Sequence, residues 1–193
     1  NLGGAGCDDP HVRICERPMQ LRMGLLDIQL CKSKGARVVG LTSTDTKKQV
    51  ALDAGADEVI LYGTEWVDEV RQWSFEKEGV HVAYDSVGST LMDSFAAVRT
   101  KGTVVFYGMA GGDPALVDPR MLMDSSKTLT GGDLWNHVTS VENRIQRAHD
   151  LFEALRAGSL KLDTVTTFPL QDGADAHRLL ESRKSIGKIL LIP

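Results

Sequence analysis

Ala36-Arg37-Val38-Val39-Gly40-Leu41-Thr42, then Ser43-Thr44-Asp45 leading a stretch through Ala54, then Gly55-Ala56-Asp57-Glu58-Val59-Ile60-Leu61, is the segment whose reading decides the fold. The first run is short, apolar and rich in β-branched residues, as a buried strand is. Thr44 or Asp45 supplies a side-chain oxygen for a helix N-cap, and Gly55 supplies the stop. Glu58 to Leu61 is a second strand-like run. Strand, helix and strand at this spacing form a βαβ unit, which requires a parallel sheet.

The same alternation extends in both directions. Upstream, Gly24 to Lys34 reads as a helix with Leu26, Leu30 and Cys31 on one face and Gly35 at its end. Downstream, Thr64 followed by Glu65 suits a helix start, and that helix runs to about Ser74. Val80 to Tyr84 is a strand, Thr90 to Val98 a helix, and Thr103 to Tyr107 a strand after a turn at Lys101-Gly102. Lys127 to Thr130 is a further strand. Val141, Ile145, Ala148, Leu151, Phe152 and Leu155 fall at helical spacing before Gly158, and Ala174 to Glu181 is another helix. Ile189 to Ile192 reads as a buried strand. The expected architecture is a doubly wound α/β sheet with helices on both faces. It runs as one domain over residues 24–193, with residues 1–23 as an atypical N-terminal segment.

Composition narrows the function classes. The chain has 193 residues, 22 Lys plus Arg against 26 Asp plus Glu, and a net charge of −4. Hydrophobic residues make up 42% and charged residues 25%, which is ordinary for a globular domain. Mild acidity without a basic stripe speaks against a nucleic-acid partner. No apolar run approaches a membrane span, and the N-terminus lacks the pattern of a secretory signal. Cys7, Cys15 and Cys31 form no zinc-ligand spacing with one another or with the five histidines. Sparse, unpatterned cysteines suit a reducing compartment, so a cytoplasmic location is expected. Trp66, Trp73 and Trp135 read as packing residues.

Ligands of open parallel sheets bind beyond the carboxyl ends of the strands. Here those ends are Leu41 to Lys47, Tyr62-Gly63, Asp85 to Gly88 and Tyr107 to Gly111. A site that prefers NAD usually carries Asp or Glu at the tip of the second strand, to hold the ribose hydroxyls. This tip reads Leu41-Thr42-Ser43-Thr44, with Lys47-Lys48 one helical turn on. A cation there attracts a 2′-phosphate, and no carboxylate repels it, so NADPH is expected over NADH.

Four stretches carry a family resemblance: Gly35 to Gly40, Ala54 to Ile60, Tyr84-Asp85-Ser86-Val87-Gly88 and Gly187-Lys188-Ile189-Leu190-Leu191-Ile192-Pro193. With them the sequence resembles the NADPH:quinone oxidoreductases, the zinc-free, zeta-crystallin-like branch of the medium-chain dehydrogenase/reductases, almost continuously from Gly24 to Pro193. The resemblance implies a Rossmann-type domain that binds NADPH and serves hydride transfer to a quinone or enone. It covers the cofactor domain; the family's GroES-like catalytic domain has no counterpart in these residues. Within it, Lys47 matches the lysine that pairs with the 2′-phosphate, and Tyr62 the tyrosine that covers that phosphate and the adenine ribose. Ser43, with Thr44 beside it, matches the small residue at the strand tip. Ser86, Val87 and Gly88 lie beside the adenine side. Tyr107, Gly108 and Met109 match the stretch near the nicotinamide, and Lys188 sits in the closing motif near the cofactor. No catalytic acid or base is implied, because the cofactor carries the chemistry. The family also implies a homodimer through the edge strand at Lys127 to Thr130.

The sequence departs from the family before the first helix. Gly24 aligns with the last glycine of the phosphate loop, but Met19-Gln20-Leu21-Arg22-Met23 stands where the preceding apolar strand and loop glycines belong. Those glycines let the backbone approach a pyrophosphate. Their loss implies an incomplete or altered first strand and impaired nucleotide binding. A rival reading is therefore a non-catalytic dimerisation module, or an inactive fragment with residual nucleotide affinity.

Overall fold

The computed structural model describes residues 25–162, 165–182 and 184–193, together with the backbone of residues 18–21. Six strands form one parallel sheet in the order β3-β2-β1-β4-β5-β6. They are β1 (Pro18–Leu21), β2 (Arg37–Thr42), β3 (Glu58–Leu61), β4 (Val80–Asp85), β5 (Val98–Phe106) and β6 (Thr128–Gly131). The strand order turns back on itself at β1, which is the doubly wound topology. Crossover helices α1 (Leu25–Ser33), α2 (Asp45–Asp53), α3 (Trp66–Trp73) and α4 (Leu91–Ala97) connect the first five strands.

Side-chain alternation explains why helices cover both faces. Val38 and Val59 pack on one face with Ile28 of α1 and Ala51 of α2. Their neighbours Val39 and Ile60 pack on the other with Val70 of α3 and Phe95 of α4. A strand that is apolar at every position needs a cover on each side, and the period of 2 divides those residues between the two layers.

The first strand is present, short and built from the replacement sequence, in line with the expectation of an incomplete or altered strand. Pro18 to Leu21 pairs in parallel with β2, Gln20 opposite Val39, and with β4, Gln20 opposite Ala83. The facing edges of β2 and β4 each carry backbone donors and acceptors that require a partner, and an extended backbone of almost any sequence supplies one. Pro18 opens the strand rather than ending it, at the one position where a missing N–H costs little. The strand is short, at four residues. Gly24, with the rest of the expected phosphate loop, lies outside the described residues.

Other local readings need adjustment. Thr44 caps α2 as expected, its hydroxyl accepting from the Lys47 N–H at 3.3 Å. Gly35 and Gly55 end α1 and α2 at φ of 77° and 102°. The cap of α3 is Glu65 instead of Thr64, and it makes no side-chain cap bond. Strand β5 begins before the Lys101-Gly102 turn, which it absorbs with Lys101 at φ 62°. Helices α5 (Pro119–Ser125) and α6 (Leu134–His137) and strand β7 (Val165–Pro169) carry no period long enough to read in the sequence. Helices α7 (Val141–Arg156) and α8 (Gly173–Glu181) fall where expected.

The C-terminal strand β8 (Lys188–Ile192) is not buried as its apolar run suggests. It pairs in parallel with β7 in a separate two-stranded sheet, and Leu190, Leu191 and Ile192 are exposed. An apolar run states a capacity for burial, and a two-stranded sheet has too little cover to satisfy it. Trp135 also departs from the packing role, at 74% exposure, whereas Trp66 is buried and Trp73 lies under the Arg37 guanidinium at 4.7 Å.

Candidate functional site

A cavity of about 480 Å³ opens at the carboxyl ends of β2 and β3. Ser43, Lys47, Tyr62, Val87 and Lys188, all expected at a nucleotide site, line it together. They come from the ends of β2, β3 and β4, the start of α2 and the start of β8. Among the described residues, Thr44, Ser86, Gly88, Tyr107, Gly108 and Met109 do not line this cavity.

The β2 end explains the placement of Lys47. The Thr44 cap fixes the first turn of α2, and Lys47 projects from that turn, half-buried, toward the cavity. A lysine at a helix N-terminus opposes the positive end of the helix dipole, so stability alone does not favour it there. Tyr62 follows β3 directly, and its ring meets Trp66 edge-on, with centroids 6.0 Å apart and planes at 78°. The buried Trp66 thereby braces the tyrosine.

A third side of the cavity is formed by residues that sequence reasoning did not single out. Lys161 and Leu162 line it, as do Ser185 and Ile186, which lead into Gly187 of the closing motif. Gln29 of α1 grips the Lys161 backbone in both directions. The Lys161 N–H donates to Gln29 Oε1 at 2.6 Å, and Gln29 Nε2 donates to the Lys161 carbonyl at 3.3 Å. Leu160, next to this clamp, is buried. The cavity lining thus includes Lys47, Lys161 and Lys188 and the hydroxyl-bearing Thr42, Ser43, Tyr62 and Ser185, with Asp27 as the one carboxylate residue among its described lining residues. Nothing local in the sequence points to Lys161, because its clamp spans 132 residues.

The loop after β4 reaches the cavity through Val87, and the loop after β5 packs against that loop. The Asp85 carboxylate, 0% exposed, accepts from the Val87 and Gly88 N–H groups and from the Thr90 and Ser94 hydroxyls. Burial works against its charge, but these four bonds outweigh burial and hold the carboxyl below its ordinary value. Tyr107 sits at the start of the second loop with its phenol hydrogen-bonded to Ser86; burial raises that phenol despite the bond.

Cys31 lies on α1, packed against the core cluster of Ile28 and Val38. Burial, with the Asp27 charge adding to it, pushes its thiol up to about 11. The thiolate is the reactive form, so Cys31 should alkylate roughly a hundredfold more slowly at neutral pH than an ordinary free thiol. Iodoacetamide labelling read peptide by peptide checks this; labelling of the Cys31 peptide at the rate of a small-molecule thiol contradicts it.

A parallel sheet wound in this order, with a polar cavity at the ends of the strands that bracket its second crossover, is the Rossmann-type arrangement. Comparison with known proteins makes the assignment specific. The family described as zinc-binding dehydrogenase matches residues 23–154, and the chain belongs to that family. It is 34% identical over 176 residues to quinone oxidoreductase 1 of Escherichia coli, covering 89% of this chain and 54% of the relative. It is 33% identical over 174 residues to a 2-haloacrylate reductase of a Burkholderia species, covering 89% and 52%. The crystal structure of E. coli quinone oxidoreductase complexed with NADPH superimposes with a TM-score of 0.82 at 31% identity, over 92% of this chain and 57% of that one. A quinone oxidoreductase of Pseudomonas syringae gives the same TM-score at 30% identity, over 91% and 56%. The chain thus spans about half the length of the curated relatives it matches.

The family's description implies zinc, and the described residues do not fit it: no three His, Cys, Asp or Glu side chains come together among them. Among the described residues, no helix is long and apolar enough to cross a membrane.

Proposed function

We propose that this chain is the cofactor half of a zinc-free, NADPH-dependent quinone or enone reductase. The observation that carries this reading is the convergence of Lys47, Lys161 and Lys188 with Ser43 and Tyr62 in one cavity, at a β2 tip without a carboxylate. Three cations and two hydroxyls suit the phosphates of a phosphorylated dinucleotide. Lys47 and Ser43 would hold the 2′-phosphate, and Tyr62, braced by Trp66, would cover the adenosine end. Val87 supplies an apolar wall beside it. Tyr107, Gly108 and Met109 at the end of β5 would face the nicotinamide end.

When bound, NADPH supplies a hydride to a conjugated carbonyl. The chain's own residues bind and orient the cofactor and exclude water from one side of it. Strand β6 is one of the two edges of the six-stranded sheet, and pairing there with a second copy would extend it and make a homodimer. A cytoplasmic location accords with the same reading. Calorimetric titration of the chain with NADPH and NADH tests it. Micromolar NADPH binding, at least about tenfold tighter than NADH, is expected. A folded sample that binds neither nucleotide overturns it.

A further inference from the structure

The Asp85 hub carries more than its own loop. Its carboxylate fixes Val87 and Gly88 through their N–H groups at 2.8 and 3.0 Å, and is itself tied to α4 by Ser94 at 2.7 Å and to Thr90 at 3.1 Å. The loop so held presents its carbonyls to the loop after β5. Ala110 N–H donates to the Ser86 carbonyl at 3.1 Å and Gly111 N–H to the Val87 carbonyl at 2.8 Å. The Tyr107 N–H donates to the Asp85 carbonyl at 2.9 Å. The fit is close enough that glycine is required on both sides. A Cβ on Gly108 would stand 2.8 Å from the Ser86 carbonyl oxygen, and one on Gly88 would overlap the Gly112 carbonyl.

We propose that Asp85 is a positioning residue that locks the Ser86–Gly88 and Tyr107–Gly112 loops into one unit, so that the adenine-side and nicotinamide-side walls of the nucleotide site are set by a single buried carboxylate. The proposal rests on the nucleotide-site reading above for its functional half. Its structural half stands on the bonds alone. Asp85 touches neither the cavity nor any reacting atom; it acts through Val87 and, across the carbonyl contacts, through residues 107–112.

The test uses the full chain and three variants. Asp85→Ala removes all four acceptor contacts. Asp85→Asn keeps an acceptor for the two backbone N–H groups, while the Thr90 and Ser94 hydroxyls rotate to accept from the amide. Ser94→Ala loosens the carboxylate with little risk to folding. Amide hydrogen exchange at Ala110 and Gly111, on the far loop, should quicken at least about tenfold in Asp85→Ala and measurably in Ser94→Ala, with Asp85→Asn close to the parent. Unchanged exchange at Ala110 and Gly111 in Ser94→Ala and in a folded Asp85→Ala overturns the coupling; if Asp85→Ala does not fold, Ser94→Ala decides alone. The dissociation constants of NADPH and of adenosine 2′,5′-bisphosphate then separate positioning from plain stability. Asp85→Ala should weaken the adenosine fragment about threefold, through the Val87 wall, and NADPH about tenfold or more, because NADPH also meets the loop after β5. Equal weakening of both, or of neither, overturns the positioning role. If the parent binds neither nucleotide, the reading as a nucleotide site falls, while the exchange data still decide whether the loops are coupled.

Discussion

Lys47→Ala is expected to raise the NADPH dissociation constant about ten- to a hundredfold while leaving that of NADH within about twofold. A charge-assisted hydrogen bond contributes about 1.5–3 kcal/mol, and each 1.4 kcal/mol is about tenfold in affinity. Only NADPH carries the 2′-phosphate that the Lys47 ammonium would meet. The Thr44 cap bonds the backbone N–H of residue 47 and survives the loss of the side chain, so the start of α2 is kept. Removing a cation from the positive end of α2 should leave the thermal midpoint unchanged or slightly raised. Calorimetry with both nucleotides, beside a thermal melt, checks all three statements. Equal losses for NADPH and NADH would show that Lys47 does not read the 2′-phosphate.

Gly88→Ala is expected to destabilise the chain by about 2–5 kcal/mol and lower its thermal midpoint by about 5–15 °C. Two costs add. The backbone at residue 88 has φ 84°, where an L side chain is strained by about 1–2 kcal/mol. The new Cβ also lands on the carbonyl oxygen of Gly112, a backbone atom that can move only by parting the two loops. Gly63→Ala is the matched control. A Cβ there meets nothing within 4 Å, so its melt should fall within about 0.5 kcal/mol of the parent. Melting curves of the three proteins by circular dichroism decide the matter. Equal midpoints for Gly88→Ala and Gly63→Ala would mean that the loops part at no cost.

Much of this molecule is legible locally. The apolar runs at β2, β3 and β4, the Thr44 cap and the stops at Gly35 and Gly55 each act within a few residues. Their alternation specifies a parallel sheet without reference to the rest of the chain. Helices α5 and α6 are too short to show a period, and β7 reads as ordinary connecting sequence. Strand β8 shows the opposite limit. Its apolar run is plain, but which sheet takes it, and how much of it is covered, depend on partners elsewhere. The candidate site divides in the same way. Lys47 and Tyr62 could be picked out because strand tips are local features, whereas Lys161 could not.

The sequence alone therefore determined the class of fold and the strand ends at which a ligand would sit, because periodicity, capping and turn chemistry operate over single elements. Only the tertiary structure decided that Pro18 to Leu21 fills the centre of the sheet, that Gln29 brings Lys161 to the cavity, and that Asp85 joins two loops. Each of these depends on hydrogen bonds and pairing between segments remote in sequence, and those bonds exist only once the chain has closed on itself.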